Sequence, residues 1–383
     1  MIFDYLIPVS EKVIDVLSNY QDLRFGTSIN IHTDKNVPEI TKDVSIVIIG
    51  VQEDRCALNN EGTGDDFTII REELYKLYLG NWHLNIVDLG NIAKGNSSKD
   101  THFALQEVVR YLVKKNIIPL VIGGSQALTY SVYRAYDDLE QTVNLVSVDN
   151  KFDLGQLDSE LNSRSFLSKI VMEEPNNLFN YSNIGYQTFF NSQEEIDLLK
   201  KLYFDTYRLG AVNQDISLVE PVLRDADIVS VDISALRKTE APANNNTTPN
   251  GLYGEEMCAI IRYAGLSDKV SSIGIYEYNS FLDDKSQTAQ LIAQMIWYFI
   301  EGVNFRLKEY PFGTKKEYIK YIVPIDNDVI VFYKSNKSNR WWMEIPNNKF
   351  KKDTLIPCTY SDYLEANSQN VPSRWWKTIK KIT

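Results

Sequence analysis

The side chains best suited to chemistry lie where apolar segments end. Asp149 and Asp153 follow the β-branched stretch 143–148, and Asp232 follows a similar stretch that begins at residue 227. Short apolar segments of this kind are typical of strands buried in a parallel sheet. Open α/β sheets bind their ligands at the carboxyl ends of such strands. The sequence therefore predicts a cluster of carboxylates at one edge of a sheet.

Two more apolar segments end in polar residues. Residues 117–122 run into Gly123-Gly124-Ser125-Gln126, and residues 270–276 run into Glu277. Because the carboxyl ends of parallel strands share one edge, Gln126 and Glu277 are expected beside the three aspartates. Four segments that deliver polar side chains to one edge predict a functional site or the remains of one.

The order of these motifs resembles the ureohydrolase family of arginase, agmatinase and formimidoylglutamase. That family carries Gly-Gly-Asp-His, Asp-Ala-His-x-Asp, Asp-x-Asp and a late Glu, and six of these side chains hold two manganese ions that share a hydroxide. The resemblance extends over about residues 45–308. The corresponding segments here are Gly123-Gly124-Ser125-Gln126, Asp149-Asn150-Lys151-Phe152-Asp153, Asp232-Ile233-Ser234 and Glu277.

The resemblance implies that three of the six metal-ligand positions have changed. Gln126 and Lys151 replace the two His ligands and Ser234 replaces one Asp, while Asp149, Asp153 and Asp232 remain. A metal-bound hydroxide forms at neutral pH only where ions lower the pKa of water, and two ions need several anionic or imidazole ligands. All three histidines of the chain lie outside these motifs. We therefore expect no binuclear centre and no cofactor.

One alternative remains for metal binding. Asp149, Asp153 and Asp232 are oxygen ligands that suit a single hard divalent cation such as Mg, Ca or Mn. The other expectation is that the Lys151 ammonium lies within salt-bridge distance of Asp149 or Asp232 and offsets their repulsion. Glu277 is a candidate for orienting a guanidinium-like group, as the resemblance implies, or a capped strand end. The stretch 244–250 is predicted to be an exposed loop.

Alternating strands and helices predict the fold class. This alternation is typical of an α/β domain with three α/β/α layers and a mostly parallel sheet, the arrangement that the resemblance also implies. Helical spacing of apolar residues marks 101–115 as an amphipathic helix. We also predict a helix over 10–20 and a strand over 207–212. The α/β domain is expected to span residues 1–310.

The remaining residues, 311–383, differ from the rest of the chain. They contain 13 Lys or Arg against 7 Asp or Glu, whereas the whole chain has a net charge of −11. The segments 318–325 and 329–333 predict a hairpin. This extension also carries two Arg-Trp-Trp segments, Arg340-Trp341-Trp342 and Arg374-Trp375-Trp376. Tryptophan suits a solvated tail poorly, so both segments are expected to pack against the α/β domain, a sister subunit or a different protein.

Composition excludes several classes of protein. An acidic net charge argues against a nucleic-acid-binding role, and the sequence contains no run of about 18 apolar residues that predicts insertion into a membrane. Three widely spaced Cys residues, Cys56, Cys258 and Cys358, indicate reduced thiols of a cytoplasmic protein. The first residues lack the basic start and apolar run of a signal peptide.

The residues and the resemblance together predict a catalytically inactive ureohydrolase-like protein. Its role would be that of a binding or scaffold subunit with a protein partner or in self-association. The alternative is a formimidoylglutamase- or agmatinase-type hydrolase of linear amidine C–N bonds with altered metal use. The two alternatives differ in whether the changed site still supports hydrolysis.

Overall fold

The structure is a computed structural model that describes residues 2–17, 23–139, 141–155, 160–325, 328–346 and 354–382. Within them a ten-stranded sheet forms the centre of the molecule. Its strands are β1 (Leu6–Ile7), β2 (Asn30–Ile31), β3 (Val44–Val51), β4 (Asn85–Ile92), β5 (Ile118–Gly123), β6 (Val143–Val148), β7 (Leu178–Tyr186), β8 (Asp205–Arg208), β9 (Ile228–Asp232) and β10 (Ser272–Tyr276).

The strand order is β1-β4-β3-β5-β10-β9-β6-β7-β8, and β2 also pairs with β4. Every pairing is parallel except that of β1 with β4. The central strands β5, β10, β9 and β6 are consecutive neighbours, and their residues are buried along their whole length. Such strands need cover on both faces.

Eleven helices accompany this sheet in the described part of the chain. They are α1 (Glu11–Leu17), α2 (Phe25–Ser28), α3 (Thr68–Tyr75), α4 (Ser98–Lys114), α5 (Leu128–Arg134), α6 (Phe166–Met172), α7 (Gln193–Lys201), α8 (Leu209–Gln214), α9 (Glu220–Arg224), α10 (Gly254–Leu266) and α11 (Gln287–Asn304).

Helices cover both faces of the sheet and make two hydrophobic cores. Ile46 and Ile48 of β3 face the core built with α3, α10 and α11, while Val47 and Ile49 face the core built with α4 to α7. This alternation follows from the two-residue period of a strand. The structure therefore confirms the predicted three-layer α/β/α architecture. No helix within the described ranges has the length and apolar content to cross a bilayer.

Two local predictions need correction. The predicted helix over 10–20 corresponds to Glu11–Leu17, and residues 18–22 lie outside the described residues. The predicted strand over 207–212 is wrong after Arg208, where α8 begins. A short apolar run does not distinguish a strand from a helical turn by its spacing alone. Here only Tyr207 and Arg208 of the predicted segment belong to the sheet, as the last two residues of β8.

Residues after 317 form a second, antiparallel sheet. Its strands are β11 (Tyr318–Ile325), β12 (Asp328–Ser335), β13 (Trp341–Ile345) and β14 (Thr354–Cys358), in that order across the sheet, and two helices follow, α12 (Tyr360–Asn367) and α13 (Ser373–Ile382). We call residues 318–382 the C-terminal unit. Residues 326–327, between β11 and β12, lie outside the described residues.

The first Arg-Trp-Trp segment joins the C-terminal unit to α9, one of the helices that cover the larger sheet. The Arg340 Nε lies 3.1 Å from an oxygen of Glu220 in α9. Trp342 is fully buried beneath the Arg224 guanidinium, whose carbon lies 4.3 Å from the ring centroid. Trp341 points the other way, into the unit's own core, where its ring stacks on Tyr363 at 4.8 Å.

The second segment contacts the same side of the larger sheet. Arg374 approaches Asp225 at 4.0 Å, and the neighbouring Lys377 bonds Asp205 at 2.7 Å. Trp375 is buried and donates to the Glu344 carbonyl, whereas Trp376 is 44% exposed and touches Tyr203 edge-on. The basic extension therefore docks on acidic positions of its own chain, as its charge favours. A role of these residues in binding another protein stays a prediction.

Asp227 ties together the amino ends of three central strands. Its carboxylate accepts the Asn144 N–H at 2.8 Å and faces Lys269 at 3.4 Å, and its carbonyl accepts the Ser271 N–H. Burial raises the pKa of Asp227 to about 6, against the attraction of Lys269, which lowers it. A raised folded-state pKa means that the folded protein holds this proton more tightly than the unfolded chain.

The first prediction concerns the pH dependence caused by Asp227. As pH rises from about 4 to about 6 the folded state must release a proton that the unfolded chain has already lost, so this group's contribution to stability falls. Asn at 227 stays neutral throughout. The free energy of unfolding of Asp227→Asn, relative to wild type, is therefore expected to increase between pH 4 and pH 7 in urea denaturation. A constant difference across that interval would contradict the assignment.

The second prediction compares two tryptophans of the extension. Trp341→Ala removes a buried ring from the core of the C-terminal unit and is expected to lower the free energy of unfolding by about 3–5 kcal/mol. Trp376→Ala is the matched control because its ring is nearly half exposed, and its cost is expected to be less than half as large. Urea denaturation followed by tryptophan fluorescence and by circular dichroism measures both. Equal decreases in the free energy of unfolding for the two variants would contradict the difference in burial between the two rings.

Candidate functional site

Four neighbouring strands bring the predicted site residues together. Gln126 follows β5, Glu277 follows β10, Asp232 ends β9 and Asp149 follows β6. The register pairs Tyr276 with Asp232, which places the ends of β9 and β10 side by side. All four side chains are buried. We call these residues with Lys151, Asp153 and Ser234 the carboxyl cluster.

Gln126 joins three strands at the centre of the carboxyl cluster. Its backbone N–H donates to the Glu277 carboxylate at 2.9 Å, and its side-chain Nε2 donates to Ser147 and Ser230 at 3.3 Å each. The side chain also lies within hydrogen-bonding reach of Asp149, which lowers the pKa of that carboxyl. Its Oε1 atom is buried and has no hydrogen-bond partner. Gln126 is therefore bonded mainly as a structural amide.

Asp149 and Asp153 form a close pair of carboxyl groups. Asp149 Oδ1 accepts the Lys151 N–H at 2.9 Å, whereas Oδ2 of each aspartate is buried without a donor among the described residues. Burial raises the pKa of both, and in Asp153 the neighbouring Asp149 raises it further, well above the ordinary value. Two neighbouring buried carboxylates repel each other, so the pair retains a proton to higher pH than isolated aspartates do.

Asp232 and Ser234 occupy the third ligand motif. Oδ1 of Asp232 accepts the Ser234 backbone N–H at 2.6 Å, which closes a short turn at the end of β9. Burial raises the pKa of Asp232 well above its ordinary value, and the Asp149 and Glu277 carboxyls raise it further. A serine hydroxyl at 234 supplies no negative charge, so this turn is held by hydrogen bonds without a second carboxylate.

The expected ion pair of Lys151 is wrong. The side chain is partly exposed, and its Nζ lies 5.4 Å from the centroid of the Phe190 ring. In the described ranges Lys151 makes no ion pair with a carboxylate, although its charge lowers the pKa of Asp149 from a distance. The backbone N–H of Lys151 turns toward Asp149, and its side chain extends toward Phe190. Buried carboxyls without a paired cation retain protons instead.

Glu277 is held by amide groups that the sequence analysis did not single out. Asn60 Nδ2 donates to the Glu277 side chain at 2.8 Å and to its carbonyl at 2.9 Å, and Asn244 Nδ2 donates to the same carbonyl at 3.0 Å. Burial raises the pKa of Glu277 to about 7, against these hydrogen bonds. Its φ of 71° lies in the left-handed region, which is costly for a non-glycine residue. Glu277 is a capped strand end in this structure.

The predicted exposed loop at 244–250 is wrong at Asn244 and Thr247, which are both buried. Asn244 is fully buried, and Asn246 donates to the Leu58 carbonyl. Buried asparagines bond backbone groups where the loops meet, since each side chain both donates and accepts. The sequence feature that could have predicted these contacts is the concentration of asparagines in the segments 59–60 and 244–246.

The donor set does not fit two manganese ions. A glutamine amide, a lysine whose side chain extends toward Phe190 and a serine occupy three of the positions that the resemblance assigns to ligands, so three of six positions supply no anionic or imidazole ligand. Within the described ranges, no group of three or more His, Cys, Asp or Glu side chains is arranged to hold a metal ion. A single hard cation would use the unpartnered oxygens of Asp149, Asp153 and Gln126. The single-cation alternative therefore stays a prediction.

The fold and the strand-end site define a class of protein. The structure is similar to formimidoylglutamase from Bacillus subtilis (TM-score 0.67, 19% identity, 76% of this chain and 95% of that chain) and to the agmatine ureohydrolase of Thermoplasma volcanium (TM-score 0.62, 20% identity, 78% and 99%). These likenesses show an arginase-like fold with an additional C-terminal antiparallel sheet.

The sequence comparison identifies the family. Residues 44–301 match the arginase family, and the chain belongs to it. Curated relatives include proteins named formimidoylglutamase from Legionella pneumophila, 26% identical over 275 residues (67% of this chain, 85% of the relative), and from Bacillus subtilis, 22% identical over 276 residues (67% and 86%). The matched segment contains the whole carboxyl cluster and excludes the C-terminal unit.

The third prediction tests how the carboxyl cluster is held. Asn60→Ala leaves the buried Glu277 carboxyl without its side-chain donor and is expected to lower the free energy of unfolding by about 1–3 kcal/mol. Asn246→Ala is the matched control because it also removes a bond to a backbone carbonyl but leaves Glu277 intact. Lys151→Met is expected to cost less than Asn60→Ala. A larger cost for Lys151→Met in thermal or urea denaturation would restore the ion-pair hypothesis.

Proposed function

We propose that this arginase-family chain is a non-hydrolytic binding protein. The observation that carries the proposal is the replacement of three metal-ligand positions by Gln126, Lys151 and Ser234, none of which supplies an anionic or imidazole ligand. A family that generates its nucleophile on metal ions loses that nucleophile when the ligands are lost. The remaining architecture then serves recognition, because the strand ends and their loops still form a site.

A binding role accounts for the internal bonding of the carboxyl cluster. The carboxyls raise one another's pKa and are held by backbone N–H groups and asparagines, so hydrogen bonds join the strand ends to the surrounding loops. We further propose a cytoplasmic location and association with a protein partner or a second copy, for which the exposed Trp376 beside Tyr203 provides one contact point.

A second candidate function rests on a different observation. The oxygens Asp149 Oδ2, Asp153 Oδ2 and Gln126 Oε1 are buried without partners, which suits one hard cation. Several relatives are named formimidoylglutamase. The alternative is therefore a hydrolase of linear amidines, of the formimidoylglutamase or agmatinase type, with altered metal use. Metal content and turnover measured on one sample separate the two candidates.

The fourth prediction concerns metal content and hydrolysis. After exposure to Mn and dialysis, the wild-type chain is expected to retain less than one equivalent by elemental analysis, since loss of supporting partners alone typically weakens metal binding by about 10–100-fold. It is also expected to release neither formamide from formimidoylglutamate nor urea from agmatine or arginine. The matched variant restores the ligand types with Gln126→His, Lys151→His and Ser234→Asp, and it is expected to gain Mn.

Two results would contradict this proposal. Two retained equivalents of Mn in the wild type would show that the substituted positions still bind metal. Turnover of any of these substrates that disappears in Asp149→Asn would show that the cluster is catalytic. One retained equivalent of Mg, Ca or Mn with such turnover would establish the hydrolase alternative.

A further inference from the structure

A cavity of about 750 Å³ is lined by the helices α4, α5 and α6 and by the loop that follows β3. Its lining includes Cys56 from that loop, His102 from α4 and Ser131 from α5. None of its lining residues belongs to the carboxyl cluster. The volume is that of a small-molecule site, so the cavity can admit a ligand to these three side chains.

A thiol, an imidazole and a hydroxyl form a row at this cavity. The Cys56 Sγ lies 3.7 Å from the His102 Nε2, and the His102 Nδ1 lies 2.6 Å from the Ser131 Oγ. When Nδ1–H donates to Ser131, Nε2 presents its lone pair to the thiol. A nucleophile beside a base that a third group orients is the arrangement of covalent catalysis.

Burial keeps both members of the thiol–imidazole pair neutral. It raises the pKa of Cys56 to about 11, and it lowers the pKa of His102 to about 4. The thiol is therefore not a preformed thiolate at neutral pH. The imidazole is unprotonated there, so it can accept the thiol proton while the sulfur attacks, as in general-base catalysis.

Charges of both signs surround the pair. Beyond burial, Glu53 raises the pKa of Cys56 and of His102 and Arg55 lowers both, and these two charged side chains are joined at 2.5 Å. His102 itself is in no ion pair among the described residues. Burial therefore decides the charge of the imidazole. The other titratable groups that line the cavity are one tyrosine, two lysines and two glutamates: Tyr130, Lys99, Lys169, Glu160 and Glu173.

Hydrogen-bond donors beside the sulfur match a carbonyl oxygen. Ser98 and His102 lie one turn apart on α4, so they share the face of the helix that lines the cavity. The Ser98 hydroxyl hydrogen-bonds the Cys56 thiol. Ser98 and Lys99 are also the first two residues of α4, whose N–H groups have no acceptor inside the helix. Such donors stabilise the negative charge that a carbonyl oxygen gains when a nucleophile attacks its carbon.

We propose that Cys56 is a nucleophilic thiol that accepts an acyl group from a small activated ester or thioester, with His102 as its base. The bond from Sγ to the acyl carbon forms as the thiol proton moves to Nε2 and the carbonyl electron pair moves to oxygen. When the carbonyl forms again, the bond to the leaving group breaks and His102 returns the proton to that group. The products are acylated Cys56 and a free alcohol or thiol. The inference goes beyond the proposed function because it uses no residue of the carboxyl cluster.

The test uses the full-length chain and p-nitrophenyl acetate, and peptide mass spectrometry measures the acetylation rate at each cysteine. Cys258 is the internal control. It is 6% exposed, as Cys56 is, and lines a different cavity of about 550 Å³. Burial raises the pKa of Cys258 to about 12, and it has no hydrogen bond to a histidine among the described residues. Cys56 is expected to be acetylated about 100-fold faster, the usual effect of a positioned base.

The pH profile separates a base-assisted thiol from a free one. The rate at Cys56 is expected to be constant between about pH 6 and pH 8, because His102 stays neutral there, and to fall as pH approaches the His102 pKa of about 4. The rate at Cys258 is expected to rise about tenfold per pH unit as its thiolate forms. His102→Gln is expected to lower the rate at Cys56 about 100-fold and to give Cys56 the pH profile of Cys258.

Three results would overturn the proposal. They are equal acetylation rates at Cys56 and Cys258 in wild type, a rate at Cys56 that rises steadily with pH as a free thiol's does, and a folded His102→Gln that is acetylated at the wild-type rate. The first two need no variant, so the test stays decisive if the melting temperature shows that His102→Gln fails to fold. None of these results bears on the proposed function, because Mn content and amidine hydrolysis depend on the carboxyl cluster.

Discussion

Burial of carboxyl groups at the strand ends is the constraint on which the site depends. Three parallel strands, β10, β9 and β6, place acidic residues where water is excluded, beside Gln126 at the end of their neighbour β5. Charged carboxyls in such a place need a cation, a set of donors or a proton. In this chain the donors are backbone N–H groups and asparagine amides. The raised pKa of these carboxyls also lets them keep a proton to higher pH, which lowers the cost of burying them. The loops around the site are arranged by that requirement.

The fold could be predicted because its signals are local and periodic. Buried strands such as β6 and β9 are short β-branched segments in the sequence, and α4 has the apolar spacing of an amphipathic helix. These patterns alternate along the chain and therefore predict the three layers. The failure after Arg208 has a physical cause. Leu209, Ala211 and Val212 are compatible with either a strand or a helical turn. Packing in the folded protein makes this segment the helix α8.

The membership of the carboxyl cluster could be predicted from the sequence, but its bonding could not. Strand order brings Gln126, Asp149, Asp232 and Glu277 together whatever their rotamers. The direction of the Lys151 side chain depends on a backbone turn at Asp149 and on the position of Phe190, neither of which has a periodic signal. The burial of Asn60 and Asn244 likewise depends on how two distant loops meet. Such contacts between residues far apart in sequence are visible only in three dimensions.

The docking of α13 has a consequence for the order in which the molecule is assembled during synthesis. Lys377 and Arg374 reach Asp205 and Asp225, yet Lys377 lies 172 residues after Asp205 in the chain and leaves the ribosome later. Until then the surface around Asp205 and Arg224 is uncovered while the strands that carry it are already complete. Units of a chain generally fold in the order of their synthesis, and uncovered surface in incomplete chains promotes aggregation. The nascent protein therefore passes through a stage in which its larger sheet is formed but its acidic flank is unprotected.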